Sequence, residues 1–313
     1  MTKITKPIQR VTIIGTGVIG ASWAALFLAK GLDVVATDIA PDAQKKLDDF
    51  VAAAWPALEQ LGVVPGASPA KLGFTDNFDE AVAGSDLIQE NGPERIDFKK
   101  DLYRRLDEAQ APETIIASSS SGLTMSEIQS ACLKHPERCV IGHPFNPPHL
   151  IPLVEIVGGA QTSEETIERV TEFYRGLGKR TIRLHKEVPG HVANRLQAAL
   201  FREVVHLIAE GVVSVGDADA AVSWGPGLRW GIMGPSLLYH LGGGQGGIEH
   251  FFDQFTRPLT EWWHVLGTPE LTPEVRATVI KGVHEEVQSR SQQDLVAYRD
   301  EVLMGLLRLR DRE

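Results

Sequence analysis

A short apolar run, Val11 to Ile14, leads directly into Gly15-Thr-Gly17-Val-Ile-Gly20, and a helical pattern follows from Ile19 to Lys30. Strand, glycine loop and helix in this order leave few folds open. Gly15 allows the tight turn, Gly17 lets the backbone approach a pyrophosphate, and Gly20 lets the helix pack close to the strand. The first backbone N–H groups of that helix, including those of Val18 and Ile19, suit the phosphate charge. The next apolar run, Val34 to Thr37, ends in Asp38, where a carboxylate can accept hydrogen bonds from ribose hydroxyls. The same charge repels a 2′-phosphate, and Ile39-Ala40-Pro41 supplies no arginine to receive one. The loop therefore predicts NAD rather than NADP as the dinucleotide.

Further strands are expected at Leu87-Ile88, Thr114 to Ala117, Val140-Ile141, Leu153 to Val157 and Thr181 to Leu184. Helical patterns lie between them at Pro41 to Leu61, Phe98 to Ala109 and Glu164 to Leu177. This alternation marks an α/β fold, a doubly wound Rossmann-type domain. At Val188-Pro189-Gly190 the grammar changes, and helical spacing takes over at Val192 to Ala209, Asp217 to Trp224, Pro273 to Ser289 and Asp294 to Arg310. The expected organisation is a dinucleotide-binding domain over 1–188 and an all-helical substrate and dimerisation domain over 189–313. The cluster Gly242-Gly-Gly-Gln-Gly-Gly247 reads as a flexible connection.

Composition narrows the partners. The net charge of −10 argues against nucleic acid or an anionic membrane surface. Cys132 and Cys139 are the only cysteines; they lack metal-ligand spacing, so a reducing compartment and no metal are expected. The first ten residues contain no apolar core of a signal peptide, and the run from Ala21 to Ala29 is cut by Lys30. The expectation is a soluble cytoplasmic protein with no membrane partner.

The segment Gly142-His143-Pro-Phe-Asn146-Pro-Pro-His149-Leu-Ile-Pro-Leu-Val-Glu155-Ile-Val carries the chemistry. An acid inside an apolar strand is costly without a partner. If the two runs lie side by side, His143 is the nearest partner for Glu155. A carboxylate on an imidazole fixes its tautomer and raises its basicity, as a general base near neutral pH requires. Taken alone, the segment fits a structural His–Glu pair as well as a catalytic one.

Together these motifs resemble the 3-hydroxyacyl-CoA dehydrogenase superfamily over nearly the whole chain. The resemblance also rests on Pro93-Glu94 with Lys99, on Ser118-Ser-Ser-Ser121-Gly-Leu123, and on Pro189-Gly190-His191-Val-Ala-Asn194-Arg195. It implies that His143 takes the hydroxyl proton of an L-3-hydroxy substrate while hydride leaves the same carbon. Glu155 would orient His143, Ser121 and Asn194 would bond the substrate oxygen, and Asn146 would support the pocket. Glu94 and Lys99, with Ser121, would lie on the cofactor side. His191 departs from the family pattern, which usually has an apolar residue there; it is expected either to face solvent or to alter the pocket beside Asn194.

Within the superfamily the likeness is closer to the lambda-crystallin, L-gulonate 3-dehydrogenase and L-carnitine dehydrogenase group. It is carried by Trp224-Gly-Pro-Gly-Leu-Arg229-Trp230-Gly-Ile-Met-Gly234-Pro235 and by Arg299 to Met304. A guanidinium suits a free carboxylate, which a CoA thioester does not present, so Arg229 and Trp230 are expected at the substrate. The aromatics Trp224, Trp230, Tyr239, Phe251, Phe252, Phe255, Trp262 and Trp263 could cage a trimethylammonium group, or could form a core or dimer interface. L-Carnitine is favoured over L-gulonate. The alternatives are a short-chain L-3-hydroxyacyl-CoA dehydrogenase and a non-catalytic, crystallin-like NAD-binding protein. A homodimer is implied by the same resemblance.

Overall fold

The computed structural model describes residues 7–310 and forms two compact units, one ending at Asn194 and one beginning at Arg195. In the first unit the strands are β1 (Arg10–Ile14), β2 (Asp33–Thr37), β3 (Leu72–Phe74), β4 (Leu87–Glu90), β5 (Ile115–Ser118), β6 (Cys139–Pro144), β7 (Leu153–Gly158) and β8 (Arg180–Leu184). They form one sheet in the order β3-β2-β1-β4-β5-β6-β7-β8. All pairs are parallel except β6 with β7. The helices of this unit are α1 (Val18–Ala29), α2 (Ala43–Leu61), α3 (Phe78–Val82), α4 (Ile96–Ala109), α5 (Met125–Gln129), α6 (Glu164–Gly176) and the start of α7 (Ala193–Ala209).

The sheet is covered on both faces, as its paired apolar residues require. Leu87, Ile115, Val140 and Ile156 enter a core with α1, α2 and α6, while their neighbours Ile88, Ile116, Ile141 and Val157 enter another with α4 and α5. Residues Gly20 to Ala29 of α1 are all buried, and Trp23 stacks on Phe27 at 5.2 Å between centroids. The helix after the glycine loop is thus a rigid mount.

The unit boundary falls six residues beyond the Val188/Pro189 break expected from sequence. The reason is local: the backbone N–H groups of Val192 and Ala193 are bonded to Glu155 of β7, which ties the start of α7 to the sheet.

The second unit is helical, with the rest of α7, then α8 (Val215–Trp224), α9 (Pro226–Trp230), α10 (Pro235–Gly242), α11 (Gly247–Val265), α12 (Pro273–Val287) and α13 (Gln292–Arg310). The glycine cluster read as a flexible connection is instead a compact turn between α10 and α11, with a short 3-10 segment at Gly244–Gly246. A Cβ on Gly243 would stand 1.7 Å from the carbonyl oxygen of Gly247, so close backbone approach demands this glycine. Among the described residues, no helix is long and apolar enough to cross a membrane.

Candidate active site

The glycine loop separates structural need from open space. Gly15 has φ +83°, and a Cβ there would meet the Asn91 carbonyl at 2.8 Å. A Cβ on Gly20 would come within 1.9 Å of the Gly15 carbonyl oxygen. Both glycines are demanded by the protein's own packing. At Gly17 nothing lies within 4 Å of an added Cβ, so its missing side chain leaves open space. Gly17 caps α1 without a side-chain hydrogen bond, leaving the first helical N–H groups, Val18 and Ile19 among them, to an outside anion.

Asp38 stands beside this loop. One carboxylate oxygen accepts from the Thr16 amide at 2.7 Å and its hydroxyl at 3.0 Å, and the other from the Ala40 amide at 2.9 Å. Burial pushes this carboxyl up, but the hydrogen bonds from Thr16 and Ala40 outweigh it and hold the group below its ordinary value. An ionised Asp38 at the end of β2, with an open helix N-terminus, fits the adenosine end of NAD.

The antiparallel register of β6 and β7 places His143 directly opposite Glu155. His143 Nδ1 lies 2.8 Å from one oxygen of Glu155, whose residue is fully buried while His143 is 4% exposed. The other oxygen accepts from the amides of Val192 at 2.9 Å and Ala193 at 3.0 Å, at the N-terminus of α7. Burial pushes Glu155 up, yet His143 and these two amides prevail and hold it below 4.5. An ionised carboxylate only accepts, so the His143 proton resides on Nδ1 and Nε2 carries a lone pair. That is a base with an assigned tautomer.

The serine loop after β5 is drawn in by Glu94. One of its oxygens receives the Ser120 hydroxyl at 2.7 Å and the amides of Ser121, Gly122 and Leu123 at 3.0, 2.8 and 3.2 Å. Burial raises Glu94, while Ser120, the Gly122 amide, Lys99 and the Leu123 amide outweigh it and keep the group ionised to lower pH. Thr124, not Ser121, caps α5, which leaves the exposed Ser121 side chain without that structural duty. Asn194 Nδ2 donates to the Ser121 carbonyl at 3.5 Å. Ser121, Asn194, His143 and Glu155 are therefore linked within one unit through the backbone of the serine loop and the first residues of α7.

Other expected site residues are placed differently. Lys99, assigned to the cofactor side, is only 1% exposed, with its ammonium 2.8 Å from both oxygens of the fully buried Glu90 and 3.9 Å from Glu94. A carboxylate buried that deeply requires a cation, so Lys99 serves Glu90 and braces Glu94 rather than standing bare toward a cofactor. Asn146 is exposed in the loop after β6. Arg229 and Trp230 belong to the second unit, on α9; both are exposed, and Arg229 makes no ion pair among the described residues. Tyr239, Phe251 and Phe255 stack at 4.4 and 5.0 Å; Phe251 is buried, while Tyr239 and Phe255 are exposed, as are Trp224, Trp262 and Trp263.

Sequence reasoning missed Glu90, Ser118 and Ser120. Ser118 donates to Glu90 at 2.6 Å, and the Gly92 amide donates to it at 2.6 Å. The available signal was an acid closing the apolar strand Leu87-Ile88-Gln89-Glu90, nine residues before a lysine.

A Rossmann sheet whose strand ends carry both a dinucleotide loop and an oriented imidazole base defines a nicotinamide-dependent dehydrogenase. The chain belongs to the 3-hydroxyacyl-CoA dehydrogenase family: residues 10–188 match the family's NAD binding domain and 190–267 its C-terminal domain. It is 49% identical over 301 residues to an L-carnitine dehydrogenase of Streptomyces griseus, covering 96% of this chain and 90% of that one. An L-carnitine dehydrogenase of Pseudomonas putida is 48% identical over 300 residues, with 96% and 93% covered. Among solved structures, an NAD+ dependent dismutase described as 5-formly-3-hydroxy-2-methylpyridine 4-carboxylic acid 5-dehydrogenase superposes with TM-score 0.81 at 31% identity, covering 96% and 98% of the two chains. A 3-hydroxybutyryl-CoA dehydrogenase of Escherichia coli gives TM-score 0.67 at 28% identity, covering 88% and 57%.

Proposed function

We propose that this protein oxidises the 3-hydroxyl of L-carnitine to a ketone with NAD as acceptor. The observation that carries the chemistry is the His143–Glu155 pair, 2.8 Å apart and anchored by two backbone amides. The substrate is supported by the L-carnitine dehydrogenases that are 48–49% identical over 96% of the chain. When bound, the nicotinamide supplies the hydride acceptor. His143 Nε2 takes the hydroxyl proton, and Glu155 stabilises the imidazolium that results. Ser121 and Asn194 hydrogen-bond the substrate oxygen as it changes from alcohol to ketone, and Asn146 lines the same pocket. Gly17, with the Val18 and Ile19 amides, receives the pyrophosphate in the loop that Gly15 and Gly20 shape. Asp38 takes the ribose hydroxyls, and Glu94 shapes the nicotinamide side.

Arg229 carries a guanidinium suited to the free carboxylate of such a substrate, and Trp230 follows it on α9. We infer further that two copies associate through the second unit. Leu196, Trp224, Phe252 and Trp263 there are more than half exposed, and apolar and aromatic side chains of this kind are what a homodimer interface covers. Sedimentation equilibrium checks this: a dimer mass is expected, and a monomer at all concentrations overturns it.

The substrate test is a panel of initial rates with NAD and L-carnitine, L-gulonate, 3-hydroxybutyrate or 3-hydroxybutyryl-CoA. L-Carnitine should give the highest kcat/KM, and Arg229→Ala should raise its KM. A strong preference for the CoA ester overturns the assignment.

A further inference from the structure

His191 is the residue the reaction scheme leaves unused. It is 2% exposed, although its backbone sits in the left-handed region at φ +48°. A non-glycine residue held there stores strain. Its Nε2 lies 2.9 Å from the Ser120 carbonyl oxygen. A carbonyl only accepts, so Nε2 carries the proton, and in the neutral ring Nδ1 holds a lone pair. That Nδ1 is buried and has no hydrogen-bond partner among the described residues. The ring centroid lies 5.0 Å from that of His143.

Burial favours the neutral form; the Ser120 carbonyl opposes this and His143 reinforces it, with the result that the pKa lies below 6.5. A buried acceptor without a donor is destabilising, and an apolar ring would fill the same space without that penalty. The imidazole therefore does something that volume alone does not.

We propose that His191 is a positioning residue of this active centre, holding the Ser120–Ser121 backbone against His143 through Nε2 and offering Nδ1 to an O–H or N–H donor that completes the site. The geometry of the clamp is direct. His191 immediately precedes the two amides that grip Glu155, and its ring grips the loop that carries Ser121. One residue thus couples the base pair to the groups assigned to the substrate oxygen. The donor is either a bound water or the nicotinamide nucleotide, whose ribose and carboxamide carry such groups. The catalytic part of this inference rests on the proposed oxidation of L-carnitine.

The experiment compares His191→Phe, His191→Gln and the parent chain by thermal unfolding, by kcat and KM for L-carnitine, and by histidine nitrogen NMR without and with NAD. The phenyl ring should leave a folded chain and lower kcat about tenfold to a hundredfold, the scale of a small misplacement of reacting groups. KM should change little, and glutamine, which can both donate and accept, should recover most of the loss. Parental kcat in the phenylalanine variant, or equal losses in both variants, overturns the positioning role. In the spectra His191 should be the neutral Nε2–H tautomer. A hydrogen-bonded Nδ1 signal before NAD is added identifies water, and a shift on adding NAD identifies the nucleotide. An Nδ1 without a hydrogen bond in both states overturns the acceptor role. If the parent chain fails to oxidise L-carnitine, the function assignment falls while the spectra still decide His191.

Discussion

Replacing Glu155 with glutamine swaps one carboxylate oxygen for an NH2 and changes little in size. The backbone decides which way the amide turns. Two fixed donors, the N–H groups of Val192 and Ala193 at 2.9 and 3.0 Å, require an acceptor, so the amide oxygen faces them. The NH2 then faces His143 Nδ1 across the distance that is 2.8 Å in the parent. A donor at that point demands a lone pair on Nδ1, which moves the imidazole proton to Nε2 and removes the base. Reversing the tautomer of a catalytic histidine costs about ten-thousandfold where it has been measured in a serine protease. With no charge left to stabilise the imidazolium, kcat here should fall by about a thousandfold to ten-thousandfold, roughly 4 to 5.5 kcal/mol in the barrier. The fold should survive, because the two α7 amides keep their acceptor. The assay is NADH formation from NAD and L-carnitine, beside urea unfolding of the same preparation. A Glu155→Gln variant that stays folded and turns over within a few-fold of the parent refutes the tautomer argument.

Gly17→Ala should leave thermal unfolding of the chain unchanged but weaken NAD binding in a direct titration, because its Cβ enters open space that the pyrophosphate needs. Gly20→Ala should lower the unfolding temperature outright, since its Cβ would stand 1.9 Å from a carbonyl oxygen. Lys99→Met strands the buried Glu90 charge and should cost about 3–5 kcal/mol in urea unfolding, the usual loss when one partner of a buried pair is removed. Stability should also depend on acid. Glu155, Glu94 and Asp38 are all held below their ordinary values, so the unfolded chain binds the more protons. Their contribution is fully present above about pH 4.5 and is lost as pH falls through the lower folded values. Unfolding temperature measured across that range should drop on the acid side, and less steeply in Glu155→Gln.

The β6–β7 pairing was legible because a carboxylate in an apolar strand has few ways to be tolerated, and the ladder set His143 opposite it. The glycine loop was legible for a similar reason, since each glycine answers a separate steric or ligand demand. What stayed hidden was tertiary. β3 is only Leu72–Phe74, three residues around a glycine on the sheet edge, too short for periodicity to register. Helices α10 and α11 were obscured by glycines that serve close packing rather than flexibility. The resemblance put Lys99 on the cofactor side, while its buried partner Glu90, nine residues earlier at the end of a strand, carried no motif that pointed to it. The burial of His191 depends on a left-handed turn that no local pattern announces.

The central claim is that His143 removes the hydroxyl proton, and His143→Gln tests it most directly. Initial rates of NADH formation from NAD and L-carnitine should be high for the parent chain. In the variant they should fall by about a hundredfold to ten-thousandfold, the usual contribution of a positioned general base, while NAD binds both proteins alike. Parental turnover by His143→Gln contradicts the account.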